Sequence, residues 1–228
     1  MMRPVSCCAR CLLACTLAIA SVVVSQHAHA QVAGQEGKVD AKSDRPYGDG
    51  PLTEADFRGK PSADGKLAGN SFQAYLFMDI VWSSQYRTAG RGRVASAQLT
   101  QFQASAVTYP GKSWNRWKKF NPDLLDHEQG HFDLTHIHAL RLEIKMRKLL
   151  AGKMPPAGSG ETEGVAVEAL NTLLLKEYAA VKAAADEENI EYDLLTAHGI
   201  DLEKQREIRR VHQETLKKLA AELKAVEK

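Results

Sequence analysis

His127, Glu128 and His131 stand in the spacing His-Glu-x-x-His. On an α-helix, residues four apart share a face with Cβ atoms about 5–6 Å apart, so two imidazoles one turn apart can reach one metal ion. Glu128 lies beside that face, where a carboxylate can take a proton from a water activated by the metal. The preceding residues read as a helix start. Asn121 can cap, Pro122 suits the first helical position, and Asp123 complements the positive end of the dipole. The chemistry this pattern points to is zinc-dependent hydrolysis, with His127 and His131 as metal ligands and Glu128 as general base.

A catalytic zinc needs a third protein ligand and an open position. The metzincin pattern would put Gly and His where Leu134 and Ile137 stand, so it does not apply. His138 lies seven residues beyond His131, about 10 Å along a helix axis, and cannot share the ion. His136 points elsewhere, and both are expected on the surface or in a second layer. The better candidate is His198, beside Gly199 in a non-helical break. Asp193, Glu168 and Glu177 are the alternatives, and His212 is expected on the surface of the last helix. Tyr192 is the candidate hydroxyl for donating to a tetrahedral oxyanion. Asp133 or Asp193 could orient a ligand imidazole through its second N–H; for Asp133 an ordinary helix-surface carboxylate is an equal reading.

The elements that must position these residues follow from periodicity. Phe72, Ala74, Leu76, Met78, Ile80 and Trp82 alternate with more polar residues, which predicts a strand. A turn signal over 88–92 separates it from a second strand over 94–109, where looser alternation allows a bulge. Trp114, Trp117 and Phe120 are expected to pack sheet against helix. The metal-binding helix should run over about 122–150 and stop at Gly152. A second helix is expected over about 161–187, then a break around Asn189 containing Tyr192-Asp193 and leading to His198-Gly199. The last helix, about 201–226, carries Ile208, Val211, Leu219, Leu223 and Val226 among many charges that form a solvated face.

Residues 1–30 read as a cleaved signal peptide. Arg3 and Arg10 flank an apolar run over 11–24, and Ala28-His29-Ala30 supplies the small-x-small cleavage pattern. Cys7, Cys8, Cys11 and Cys15 all fall inside it, so the exported chain has no thiolate ligand or disulfide, and a metal must take N and O donors. Removing the two signal arginines from 30 basic residues leaves 28, matching the 28 acidic ones. That neutrality disfavours nucleic acid and anionic membrane as partners. Residues 31–50 read as a flexible lead-in, and 51–228 as one domain, with its β part over about 70–110 and its helical part over about 121–226.

Three segments resemble a bacterial family of predicted secreted zinc-dependent proteases, also catalogued as a domain of unknown function. They are Leu125-x-His127-Glu128-Gln129-Gly130-His131-Phe132-Asp133, Tyr192-Asp193-x-x-Thr196-x-His198-Gly199 with Gln205, and Leu52-Thr53-x-x-Asp56-Phe57-x-Gly59-Lys60-Pro61. The likeness covers roughly 52–210, departing at Glu54 and Ile208. It implies an α+β fold, a small antiparallel sheet or hairpin against a three-helix zincin-like region, and it favours His198 over Asp193 as third ligand. The expectation is an exported, periplasmic or secreted zinc metallopeptidase acting on peptide or protein substrates, free of the membrane once the signal is removed. The rival expectation is a non-catalytic exported zinc-binding or assembly module of the envelope.

Overall fold

The computed structural model describes residues 23–24, 44–61, 73–91, 93–117 and 119–226. In chain order the elements are β1 (Val23–Val24), β2 (Arg45–Pro46), β3 (Ala74–Tyr75), β4 (Met78–Arg91), β5 (Val94–Thr108), β6 (Trp114–Asn115), α1 (Pro122–Ala151), β7 (Ala157–Gly160), α2 (Glu163–Leu195) and α3 (Leu202–Val226). The fold is α+β: an antiparallel sheet packs against α1 and α2, and α3 lies along α1.

β4 and β5 form one long hairpin, in register from Met78↔Thr108 to Arg91↔Val94. Inward residues of β4 are even-numbered, from Ile80 to Thr88. On β5 they switch from Ala95, Ala97 and Leu99 to Phe102, Ala104 and Ala106. The switch occurs because Gln85 pairs with Gln101 and Tyr86 with Leu99, which leaves Thr100 as a bulge. This is the loosened alternation seen in the sequence. The outer edge of β5 pairs with β7 over 95–98 and with β2 over 107–108. Between these, the Ala104 amide donates to Glu143 Oε2 at 3.1 Å and the Ala106 amide to His136 Nδ1 at 3.5 Å. Side chains of α1 thus satisfy backbone groups that no strand reaches.

The main core lies between this sheet (Ile80, Trp82, Tyr86, Leu99, Phe102), α1 (Ala139, Leu142, Met146) and α2 (Ala166, Leu170, Leu174, Tyr178). A smaller cluster of Leu52, Leu76, Ala106 and Phe132 sits nearer the start of α1. Asn121 caps α1 by accepting from the Asp123 amide at 3.0 Å, with Pro122 in the first turn and Gly152 at the end.

Three expectations need correction. The helix expected to end near 187 continues to Leu195, so Asn189, Tyr192 and Asp193 are helical. The aliphatic residues of that stretch, Ile190, Leu194 and Leu195, are exposed, and its inward face is held by hydrogen bonds to α1 that periodicity does not register. The linker after α1 contributes a strand, β7, whose Gly158 lies so close to α2 that a Cβ there would sit 2.1 Å from the Ala166 carbonyl oxygen. The end of the expected lead-in docks on the domain: Arg45 pairs with Asp56 at 3.1 Å, and Tyr47 stacks on His136 with ring centroids 3.9 Å apart. Residues 31–43 and most of the expected signal lie outside the described residues. Val23–Val24 are described as a strand on β4. Among the described residues, no helix is long and apolar enough to cross a membrane.

Candidate metal centre

The capped start of α1 carries His127 and His131 on one face, and the C-terminal end of α2 crosses opposite them. Asp193 Oδ1 lies 3.1 Å from His127 Nε2 and 3.1 Å from His131 Nε2, and the two nitrogens are 3.2 Å apart. His127, His131 and Asp193 are the group among the described residues that could hold a metal ion.

Proton bookkeeping strengthens that reading. The Asn189 amide nitrogen donates to the Ala185 carbonyl at 2.7 Å, so its oxygen is the atom facing His131 Nδ1 at 2.8 Å. His131 therefore carries its proton on Nδ1 and turns the Nε2 lone pair toward the cluster. Thr196 Oγ1 donates to the Tyr192 carbonyl at 2.7 Å and presents a lone pair to His127 Nδ1 at 3.5 Å. His127 Nε2 is then also a lone-pair nitrogen. Two lone pairs and a carboxylate oxygen at 3.1–3.2 Å repel one another unless a cation or a proton lies between them. Donors about 2.05 Å from a tetrahedral zinc would stand about 3.3 Å apart. The donor triangle fits such an ion.

Electrostatics follow the same geometry. Burial alone would raise the Asp193 carboxyl, but the adjoining His127 and His131 rings outweigh it and hold it below the usual carboxylate range. Burial lowers His127, partly offset by Asp193. Burial would lower His131 too, but Asp193 and Glu128 reverse the sign. Glu128 is buried beside His131, and its carboxylate accepts from the Leu76 amide just beyond β3. Burial pushes it up to about 7, with His131 and the Leu76 amide pulling the other way.

The sequence-predicted residues take different places. His127, His131 and Glu128 come together. His198, the favoured third ligand, sits at the rim with its side chain 49% exposed and Nδ1 3.4 Å from Asp193 Oδ1. Asp193, the alternative, occupies the inner position. Ala197 and His198 have φ of 47° and 55°, a left-handed turn that needs Gly199 (φ 82°) to follow. A Cβ on Gly199 would lie 3.0 Å from the His127 ring, so this turn presses against the site.

Tyr192 is 2% exposed. Its ring stacks on His127 at 5.0 Å and meets His131 edge-on at 4.9 Å. Its hydroxyl has no hydrogen-bond partner among the described residues and lies over Gly130, where a Cβ would come within 2.2 Å. The geometry gives Tyr192 a packing role that fixes both imidazoles.

Other expectations change. Asp133 is neither on the surface nor bonded to a ligand imidazole: it is fully buried and accepts from Tyr47 (2.9 Å), Gln129 (2.6 Å), Gln213 (2.6 Å) and Arg209. His212 is buried against Tyr192 at 5.6 Å, because α3 turns a polar face inward onto α1. His138 is buried with Glu188 at 3.1 Å, and His136 bonds the sheet edge, so both form a second layer. Glu168 is exposed and Glu177 pairs with Lys145, so neither joins the cluster. Trp114 and Phe120 are buried as expected, whereas Trp117 is exposed. The roles of Asn189 and Thr196 beside the imidazoles were not legible beforehand: Asn189 marked only an expected break, and Thr196 only a position in the second shared motif.

The opening motif braces this arrangement. The Leu52 amide donates to Gln129 at 2.6 Å, inside the His-Glu-x-x-His turn. Thr53 and Asp56 form a reciprocal cap, and Gly59 passes so close to Ser113 that a Cβ would lie 2.8 Å from its carbonyl. Comparison with known proteins returns a family described as "Bacterial protein of unknown function (DUF922)", whose sequence model matches residues 51–199. No curated protein and no solved structure matches the chain.

Proposed function

The chain belongs to this bacterial family of unknown function, and from that premise we propose that it is an exported zinc-dependent hydrolase acting on peptide bonds in the periplasm or outside the cell. The observation that carries the proposal is the buried triangle of His127, His131 and Asp193 with the Glu128 carboxylate beside it. A purely structural metal site has no use for that carboxylate.

His127, His131 and Asp193 would hold the ion. Bound Zn²⁺ supplies Lewis acidity, polarising a carbonyl and lowering the pKa of water from 15.7 toward about 7. Glu128, anchored by the Leu76 amide, takes the proton of the attacking water and passes it to the leaving amine. Asn189 and Thr196 keep the imidazole N–H groups turned outward. Tyr192 excludes water from one flank and donates no proton.

The test is Glu128→Gln. Metal content of the purified mature protein should stay at the wild-type level, while peptide hydrolysis falls at least about 100-fold. Unchanged turnover removes Glu128 from the mechanism.

The rival reading, a non-catalytic zinc-binding module, draws on His198. Its Nδ1 is close enough to Asp193 Oδ1, at 3.4 Å, for a small shift to supply a fourth ligand and close the coordination. X-ray absorption of the zinc-loaded protein separates the two. Three protein ligands plus a light oxygen donor support the hydrolase; three imidazoles plus a carboxylate support the module.

A further inference from the structure

Away from the metal cluster, α1 and α3 are clamped together at two places and leave a space between them. At one end Arg209 and Gln213 bind Asp133; at the other Lys148 pairs with Glu222 at 2.7 Å. Between α1 and α3 lies a cavity of about 340 Å³. α3 presents Leu216, Ala220 and Leu223 to it, at the i, i+4 and i+7 spacing of one helical face. α1 presents His136 and Leu140, one turn apart, and the segment after β2 adds Tyr47.

Packed side chains leave few voids larger than a water molecule, so a space of this size is room for a ligand. An apolar cavity of about 150 Å³ is enough to hold benzene, and ligand pockets begin at about 300 Å³. The walls define the chemistry. The His136 ring is fixed: Nδ1 accepts from the Ala106 amide at 3.5 Å, and Tyr47 stacks on its face at 3.9 Å. Burial keeps that imidazole neutral near pH 7, its pKa lowered to about 4. Lys224 is then the one charged side chain on the lining, and among the described residues it pairs with no carboxylate. Leu216 and Lys224 lie about 12 Å apart along the helix axis. An extended chain of about ten carbons matches that length at about 1.2 Å per bond.

We infer that this cavity is a binding site for a single-chain aliphatic carboxylate, its tail along Leu140, Leu216, Ala220 and Leu223 and its carboxylate on the Lys224 ammonium. Such a ligand matches the lining in both respects, with an apolar body and one negative charge at an end. The space is that of one such chain, so the occupant is a free acid rather than a two-chain lipid. The site is independent of the metal and of the hydrolase reading.

Calorimetric titration of the zinc-loaded mature protein with hexanoate, octanoate and decanoate should give one site per chain. Affinity should rise about fourfold per added methylene, the ordinary gain from burying one. Decylammonium should bind at least about tenfold more weakly than decanoate, because Lys224 repels it. Ala220→Trp fills the cavity from an exposed position; decanoate binding should be lost with zinc content unchanged. Lys224→Glu should reverse the preference between decanoate and decylammonium. The inference is overturned by no binding, by affinity that ignores chain length, by binding that survives Ala220→Trp, or by a preference that Lys224→Glu leaves unaltered. Capture by phosphatidylglycerol vesicles without binding of free decanoate also overturns it. So does sedimentation showing a dimer that Ala220→Trp dissociates, which would make the occupant a second copy. Methyl NMR contacts between Val39 and Leu223 in the ligand-free protein would instead give the cavity to the chain's own lead-in.

Discussion

At the scale of single residues, the site depends on where protons sit. Asn189 has its amide orientation dictated by the Ala185 carbonyl, and so dictates the tautomer of His131. Asn189→Leu should weaken zinc binding by about 10–100-fold in competition with a chromophoric chelator, the usual cost of losing an outer partner of a ligand. Asp193→Asn should cost more than His198→Ala in the same assay, because Asp193 is at 3.1 Å from both imidazole nitrogens whereas His198 stands at the rim. The opposite order would make His198 the third ligand. Tyr192→Phe removes a buried hydroxyl that has no partner among the described residues, so stability should rise by about 1 kcal/mol or stay level, with turnover within about twofold. A loss of turnover by orders of magnitude would restore Tyr192 as an oxyanion donor.

At the scale of elements, α1 is gripped from three sides. The N-terminal strap reaches it through Tyr47 and Leu52, α2 through Asn189 and Asp193, and α3 through Gln205, Arg209 and Gln213. Strap and α3 meet at Asp133, whose carboxylate lies between the Tyr47 hydroxyl and the Arg209 guanidinium. Arg209 also reaches Asp126 at 3.2 Å, within one turn of His127. Removing one partner of a buried ion pair leaves the other uncompensated, so Asp133→Ala should cost about 3–5 kcal/mol in urea unfolding. Zinc affinity should fall with it, since α3 packs His212 behind Tyr192. α3 lies beyond the span matched to the family, yet it completes the wall behind the imidazoles.

For the whole molecule, His136, His138 and His212, three histidines outside the ligand set that burial lowers, contribute to the acid limit, and two of them carry most of it. Burial lowers His136 and His212 from 6.5 to about 4, with Asp133 working in the opposite direction for each. Above pH 6.5 both are neutral whether the chain is folded or not, and neither opposes folding. Between 6.5 and about 4 the unfolded chain takes up protons that the folded chain refuses, so stability falls as pH drops through that window. The combined loss is on the order of a few kcal/mol. Chemical denaturation between pH 7 and 4 should show it, and His136→Gln should flatten the slope. Zinc adds a separate linkage: binding the folded chain alone, it should raise the melting temperature with concentration, and chelation should reverse the rise.

The local rules are readable in one dimension because their causes are local. Asn121, Pro122 and Gly152 bound α1 through capping and backbone freedom that neighbours in sequence supply, and the spacing of His127 and His131 is itself the geometry of one turn. Alternation through β4 is likewise written along the chain, as is the looser alternation of β5 that allows a bulge, which folding places at Thr100. Tertiary structure alone decided that α2 stays helical to Leu195 and so turns Asn189 and Asp193 inward while leaving His198 at the rim. It also decided that Asp133 and His212, polar residues on charged helices, are buried. The reason is physical: a polar side chain goes inside only where partners from distant elements replace its water, and those partners, Arg209, Tyr47 and Gln213 among them, are adjacent only after folding.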